Sequence, residues 1–115
     1  MIEVKGLSKK FDQIQALQQV STQIQKGSIF GLIGSNGAGK STFLRLLAGI
    51  YRPDSGEIFI DGQPVYENEA LKQKIFYISD DQFYFPNSNM EEMAQYYATI
   101  YHQFSFDKFE KLTQL

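Results

Sequence analysis

One glycine-rich stretch, GSNGAGKST over residues 34–42, has the residue types and the spacing of a phosphate-binding loop. Glycine has no Cβ, so the backbone N–H groups can approach a phosphate closely at the start of a helix. Lys40 is expected to reach the β- and γ-phosphates, and the Ser41 hydroxyl to hold Mg²⁺. The stretch therefore predicts a site for a nucleotide with its magnesium ion. The alternative is a glycine-rich turn that binds nothing.

The segments on either side of this loop support the first interpretation. The apolar run SIFGLI over 28–33 precedes it and predicts a buried parallel strand. The run TFLRLLAGI over 42–50 follows it and predicts a mostly apolar helix. Strand, loop and helix in this order are the context in which such a loop holds phosphate.

The composition of the chain is that of a globular domain. With 115 residues, 43% of them hydrophobic, the chain can build one domain with a core. A net charge of −2 gives no reason to expect nucleic-acid binding. The absence of cysteine excludes disulfides and thiolate metal sites, and a single histidine argues against a histidine-based one. Without a signal peptide or an apolar run of ~20 residues, a cytoplasmic location is predicted.

Strand and turn patterns occur through the first two thirds of the sequence. Strands are predicted at 2–5, 14–25, 57–60 and 75–78. The run at 58–61, three apolar residues that end in Asp61, resembles a Walker B strand, but Gly62 follows at once, which favours a hairpin turn.

From residue 87 the apolar period becomes that of an α-helix. Asn89 is the predicted N-cap of a first helix, with Glu92 in the capping-box position, and Ser105 is the predicted N-cap of a second. The predicted inward face of the first helix consists of Met93, Tyr96, Tyr97, Ile100 and Tyr101.

Further motifs occur in a fixed order along the chain: GLSKKF at 6–11, ALQQVS at 16–21, GSIFGLIG at 27–34, LLAG at 46–49, PDSGEI at 53–58 and DG at 61–62. Together they resemble the nucleotide-binding subunit of ABC transporters over essentially the whole chain. The resemblance implies an α/β fold, a P-loop NTPase of ABC type. An antiparallel β subdomain, a phosphate-loop strand and helix, and the start of a helical subdomain are expected. We expect 1–115 to be the N-terminal part of a single, incomplete domain, with its core over 1–86 and the beginning of the helical subdomain over 87–115.

The resemblance also implies the residues of the nucleotide site. Phe11 lies where the family places an aromatic ring that stacks on adenine, and Ala16 would line the same site. Without the family context, a core phenylalanine is the better interpretation of Phe11. The remaining ATP contacts are expected from Ser35, Asn36, Gly37, Ala38, Gly39, Lys40, Ser41 and Thr42.

The family has a glutamine that reaches Mg²⁺ in the loop after the strand at 75–78. By spacing, Asp80 takes that position, so the metal candidates are Ser41 and Asp80. The aromatic run at 83–86 lies where a membrane-spanning subunit would dock, or it packs locally on the helix that begins near Asn89.

The expected function is ATP binding, as part of an ABC transporter ATPase subunit that powers transport from the cytoplasmic face of a membrane. The implied partners are the membrane-spanning subunit and a second ATP-binding subunit, the same or different. All nine glycines lie at or before Gly62, so the glycine-containing signature loop of the family is absent from 63–115. A Walker B segment with its catalytic glutamate and a switch histidine are also missing.

We therefore assign no catalytic residue and expect this chain alone not to hydrolyse ATP. Two alternatives remain open. One is another P-loop enzyme, such as a small kinase with Asp80 or Asp81 as its metal-holding acid. The other is a short, non-catalytic nucleotide-binding regulator.

Overall fold

The computed structural model describes residues 1–34, 39–79 and 85–114. They form two compact units that are divided after Tyr77. Within these ranges, no helix has the length and the apolar character that a membrane span requires. The elements of the first unit are β1 (Ile2–Phe11), β2 (Ile14–Ile24), α1 (Lys40–Leu47), β3 (Ser55–Ile60), β4 (Gln63–Pro64) and α2 (Glu69–Lys72), and those of the second are α3 (Met90–Ile100) and α4 (Phe106–Thr113).

The first unit is built on a four-stranded antiparallel sheet with the order β2-β1-β3-β4. The central strand β1 pairs with β2 through a tight hairpin and with β3 on its other side. Val4 and Leu7 of β1 are both buried although they are three residues apart. A register irregularity between them, with Gly6 at φ 57°, turns Leu7 onto the core face. The predicted antiparallel subdomain is confirmed.

The turn between β3 and β4 is the predicted hairpin. Asp61 and Gly62 both have positive φ, 49° and 80°, as a two-residue type I′ turn requires. Ile60 pairs with Gln63 directly across it. The apolar run at 57–60 is therefore an antiparallel hairpin strand, and the Walker B interpretation is excluded.

Helix α1 packs on one face of this sheet. Its buried residues, Phe43 and Leu46, are three apart and lie on one side of the helix. They join a core cluster with the buried side chains of the strands and of the segment after β4, namely Val4, Leu7, Leu17, Ile58, Val65 and Leu71. This packing fixes the first turn of α1, where the phosphate-binding loop ends, relative to the β1–β2 hairpin.

Two predicted strands are not formed. The segments 28–33 and 75–78 belong to no sheet of the described residues. The side chains of Ile29 and Ile33 are almost fully exposed, and those of Phe76 and Ile78 are more than half exposed. A strand requires a neighbour for its backbone N–H and C=O groups. The predicted phosphate-loop strand finds none in the described chain, and an apolar sequence alone does not provide one.

The second unit consists of two capped helices. The Asn89 side chain accepts a hydrogen bond from the Glu92 N–H at 2.8 Å, and the Ser105 hydroxyl accepts one from the Lys108 N–H at 3.2 Å. Both predicted N-caps are confirmed.

The predicted inward face of α3 is confirmed only in part. Its fully buried residue is Ala94, whereas Ile100 is exposed. The ring of Phe85 contacts the ring of Tyr96 on α3, with centroids 4.9 Å apart. Phe85 therefore packs locally on the helix.

Candidate functional site

A cavity of about 420 Å³ lies between the end of the β1–β2 hairpin and the first turn of α1. It is lined by Phe11, Ile14, Ala16, Gly39, Lys40, Ser41 and Thr42. Except for Ile14, these residues were all predicted as nucleotide ligands from the sequence. The fold therefore brings two distant motifs, the hairpin and the end of the phosphate-binding loop, to one cavity of a size that can hold a small molecule.

Gly39 is the point where the two motifs meet. It is the N-cap of α1, with φ 91° and ψ 5°, a left-handed conformation that favours glycine. A Cβ at this position would lie 2.5 Å from the carbonyl oxygen of Ala16. Only a residue without a side chain allows α1 to begin this close to β2.

The first turn of α1 offers backbone donors to the cavity. The N–H groups at a helix start have no acceptor within the helix, and Gly39 provides no side-chain cap. The first turn also contains no acidic residue. The helix dipole and these N–H groups favour an anion at this position.

Lys40 and Ser41 bring the side-chain chemistry. The Lys40 ammonium group donates a hydrogen bond to the carbonyl of Gly34, the first residue of the phosphate-binding loop. Ser41 lies exposed at the cavity wall. Its hydroxyl is an oxygen ligand of the kind that Mg²⁺ takes.

Several predicted site residues lie outside the described residues, and their positions remain predictions. These are Ser35, Asn36, Gly37, Ala38 and Asp80. Across 1–34, 39–79 and 85–114, no group of three or more histidine, cysteine, aspartate or glutamate side chains forms a metal site.

Phe11 is not a core residue. Its side chain is 39% exposed and lines the cavity, which leaves ring surface available to a flat ligand. It packs edge to face with Tyr51, at a centroid distance of 5.4 Å. Sequence reasoning missed this partner and also missed Ile14, which pairs with Phe11 across the hairpin. The sequence could have indicated Ile14, because a tight hairpin turn at 12–13 places this residue opposite Phe11.

Asp54 adds a charged contact beside the hairpin. Its carboxylate accepts a hydrogen bond from the Lys10 N–H at 2.7 Å and one from the Lys9 ammonium at 3.4 Å. The Lys10 hydrogen bond, and to a smaller extent Lys9, hold the pKa of Asp54 below its ordinary value. In the sequence Asp54 is only a member of the motif PDSGEI at 53–58, since nothing local indicates a contact with residues so far away.

Many known proteins are similar to this chain in sequence. The family model that describes the ABC transporter matches residues 17–114. The ABC transporter ATP-binding protein YtrB of Bacillus subtilis (strain 168) is 39% identical over 104 residues, which cover 90% of this chain and 36% of that protein. The ribose import ATP-binding protein RbsA 2 of Rhizobium johnstonii is 51% identical over 65 residues, which cover 56% of this chain and 13% of that protein.

A solved structure described as the ATP binding subunit of an ABC transporter superposes with a TM-score of 0.81 and 29% sequence identity. The superposition covers 96% of this chain and 46% of the solved one. The chain thus spans less than half the length of each of these three proteins.

Proposed function

The chain belongs to the ABC transporter family, as its resemblance indicated, and we propose that it binds Mg-ATP in the cavity between the β1–β2 hairpin and α1. One observation carries the proposal. The cavity collects an exposed aromatic ring, Phe11, and the phosphate-loop residues 39–42, which are far apart in sequence. A nucleotide has the matching parts, a flat apolar base and a charged triphosphate.

The triphosphate would lie at the start of α1. The N–H groups of the first turn, which have no acceptor within the helix, and the Lys40 ammonium group would face the phosphate oxygens. On binding, Lys40 would exchange the neutral carbonyl of Gly34 for a charged oxygen, which is the stronger hydrogen bond. Gly39 fits the site because its missing Cβ leaves the backbone open to both Ala16 and the ligand.

The magnesium ion would be held by the Ser41 hydroxyl, by phosphate oxygens and by water, with Asp80 as a further ligand. The Ser41 oxygen fits such an ion because it is a hydroxyl ligand that lies exposed at the cavity wall. When bound, the ion neutralises charge on the phosphates.

The adenine base would stack on Phe11, with Ala16 and Ile14 beside it. The exposed fraction of the Phe11 ring and its place at the cavity wall support this role. Stacking on an aromatic ring tolerates small shifts of the base, so the hairpin would add affinity without fixing the base by hydrogen bonds.

The larger function follows from family membership. We propose that the chain acts as part of an ABC ATPase subunit on the cytoplasmic face of a membrane, where it would bind a membrane-spanning subunit and a second ATP-binding subunit. The stretch 63–115 contains no glycine and hence no glycine-containing signature loop, and we expect neither the family's catalytic glutamate nor its switch histidine there. The 115-residue chain would therefore bind nucleotide without hydrolysing it, and no residue in it is assigned as catalytic.

Titration calorimetry with Mg-ATP tests the proposal. Replacing Lys40 by alanine should weaken binding at least about tenfold, since a charge-assisted contact to phosphate contributes ~1.5–3 kcal/mol. Lys72→Ala is the matched control, because Lys72 forms an ion pair with Glu69 on α2 and does not line the cavity. Wild-type protein that binds no Mg-ATP at millimolar concentration, or equal affinities for wild type and Lys40→Ala, would contradict it.

A further inference from the structure

The Phe11 ring has neighbours that belong to neither the hairpin tip nor the phosphate loop. Tyr51, three residues before the turn residue Asp54, meets it with an interplanar angle of 67°. The Lys9 ammonium group lies 5.3 Å from the centroid of the same ring. Phe11 is therefore an exposed ring with an organised support.

Asp54 holds the backbone next to this ring. The first residue of β3, Ser55, pairs with Ser8 of β1, so the residues of β1 after Ser8 have no paired residue in β3. There Asp54 takes over, since its N–H donates to the Ser8 carbonyl at 3.0 Å and its carboxylate accepts the Lys10 N–H. The backbone of Lys10, the residue before Phe11, is thus held by the Asp54 side chain at a point where β1 has no paired residue in β3.

Tyr51 is in turn fixed to α1. The Arg45 guanidinium lies 5.8 Å from the centroid of the Tyr51 ring, and the Tyr51 N–H donates to the Arg45 carbonyl at 3.5 Å. Tyr51 also packs against the core cluster. Helix α1 begins at the end of the cavity where we propose that the phosphates bind. Tyr51 connects this helix to the Phe11 ring, which lies at the end proposed for the base.

We propose that Tyr51 and Asp54 are positioning residues, which hold Phe11 at the distance from the start of α1 that an adenine nucleotide requires. This inference rests on the proposed function. Neither residue lines the cavity, so both act through Phe11. Their loss should therefore weaken the binding of a ligand with a base and leave the binding of a bare polyphosphate unchanged.

The experiment compares Mg-ATP with magnesium tripolyphosphate, by calorimetry, in Tyr51→Leu and in Asp54→Ala, which removes the acceptor of the Lys10 N–H. The affinity for ATP should fall about threefold to tenfold in each variant, as expected for one aromatic contact. The affinity for tripolyphosphate should stay within error of wild type. Tyr51→Phe keeps the ring and should restore ATP affinity.

Two controls match these changes in kind. Tyr66→Leu removes a partly exposed tyrosine that faces Arg52 at 5.8 Å and does not contact Phe11. Asp61→Ala removes a carboxylate with an equally short contact, 2.7 Å to the N-terminal ammonium group of Met1, at the opposite end of β1. Both controls should leave both affinities unchanged.

The outcomes separate the two proposals. Unchanged ATP affinity in Tyr51→Leu and Asp54→Ala, or an equal loss for both ligands, would overturn the positioning role. Wild type that binds neither ligand would instead overturn the proposed function.

Amide hydrogen exchange without nucleotide gives a reading that does not depend on binding. The Lys10 N–H should exchange faster in Asp54→Ala and at the wild-type rate in Asp61→Ala. Equal Lys10 exchange in wild type and Asp54→Ala would overturn the role of Asp54.

Discussion

The run at 57–60 and the run at 28–33 are both short, apolar and strand-like in sequence, yet only the first is a strand. The former lies in β3, between β1 and β4, with Ile58 buried in the core. The latter forms no strand, and the side chains of Ile29 and Ile33 point into solvent. Both runs belong to the same compact unit, so the difference lies in pairing and not in composition.

The comparison shows which part of the proposed nucleotide site is held by the described chain itself. Antiparallel strands find their neighbours through tight turns, and the hairpins at 12–13 and 61–62 provide them locally. A parallel strand depends on a neighbour brought in from a distant part of a sequence. The side of the cavity that contains Phe11 and Ala16, where we propose that the base binds, therefore rests on a paired sheet, whereas the segment that enters the phosphate loop does not.

The largest expected effect separates a buried residue of β1 from an exposed residue of the segment 28–33. Leu7→Ala in β1 should lower the free energy of unfolding by ~2–5 kcal/mol, because the side chain is fully buried. Ile33→Ala should change it by less than ~0.5 kcal/mol, since the side chain is 98% exposed. Urea denaturation measures both. A loss in Ile33→Ala as large as that in Leu7→Ala would show that the segment 28–33 is packed.

A second pair of substitutions tests the close approach of Gly39 to Ala16, where the start of α1 meets β2. Gly39 and Gly27 both have positive φ, 91° and 76°, but only at Gly39 would a Cβ meet backbone, the carbonyl of Ala16. Gly27→Ala should cost ~1–2 kcal/mol of conformational strain. Gly39→Ala should cost more and should weaken Mg-ATP binding, which Gly27→Ala should leave unchanged. Equal losses of stability and unchanged affinity would mean that α1 does not begin against β2.

The smallest expected effect concerns the link between the hairpin and the turn at Asp54. Because the pKa of Asp54 is lowered in the folded protein, its contribution is fully present above the ordinary aspartate pKa of about 3.9. It is lost as the pH falls through the lower folded value. The difference in unfolding free energy between wild type and Asp54→Asn should therefore be largest near pH 6 and shrink below pH ~4. A difference that stays constant down to pH ~3 would contradict the contact.

Local features of the fold were predictable because their signals are local. The turn at Asp61 and Gly62 needs only two residues with positive φ, and the N-caps at Asn89 and Ser105 need only a side chain near its own helix. The strand at 28–33 was predicted from its apolar run, which reports how a segment would be buried but not whether a neighbour is present.

The candidate site divides in the same way. Lys40 and Ser41 follow from a motif, and Phe11 and Ala16 follow from the family resemblance. Tyr51 and Asp54 act on Phe11 from 40 or more residues away along the chain. No pattern in a single sequence reports such contacts, because they arise only when α1 packs on the sheet.

The most direct test of the account is a residue-resolved titration of the protein with Mg-ATP by heteronuclear NMR. We predict saturable shifts of the amides of Phe11, Ala16 and the start of α1 at 40–42. Such a pattern would show that the hairpin and the phosphate loop bind one ligand together. No saturable shift, or shifts at the start of α1 without any at Phe11 and Ala16, would contradict the account.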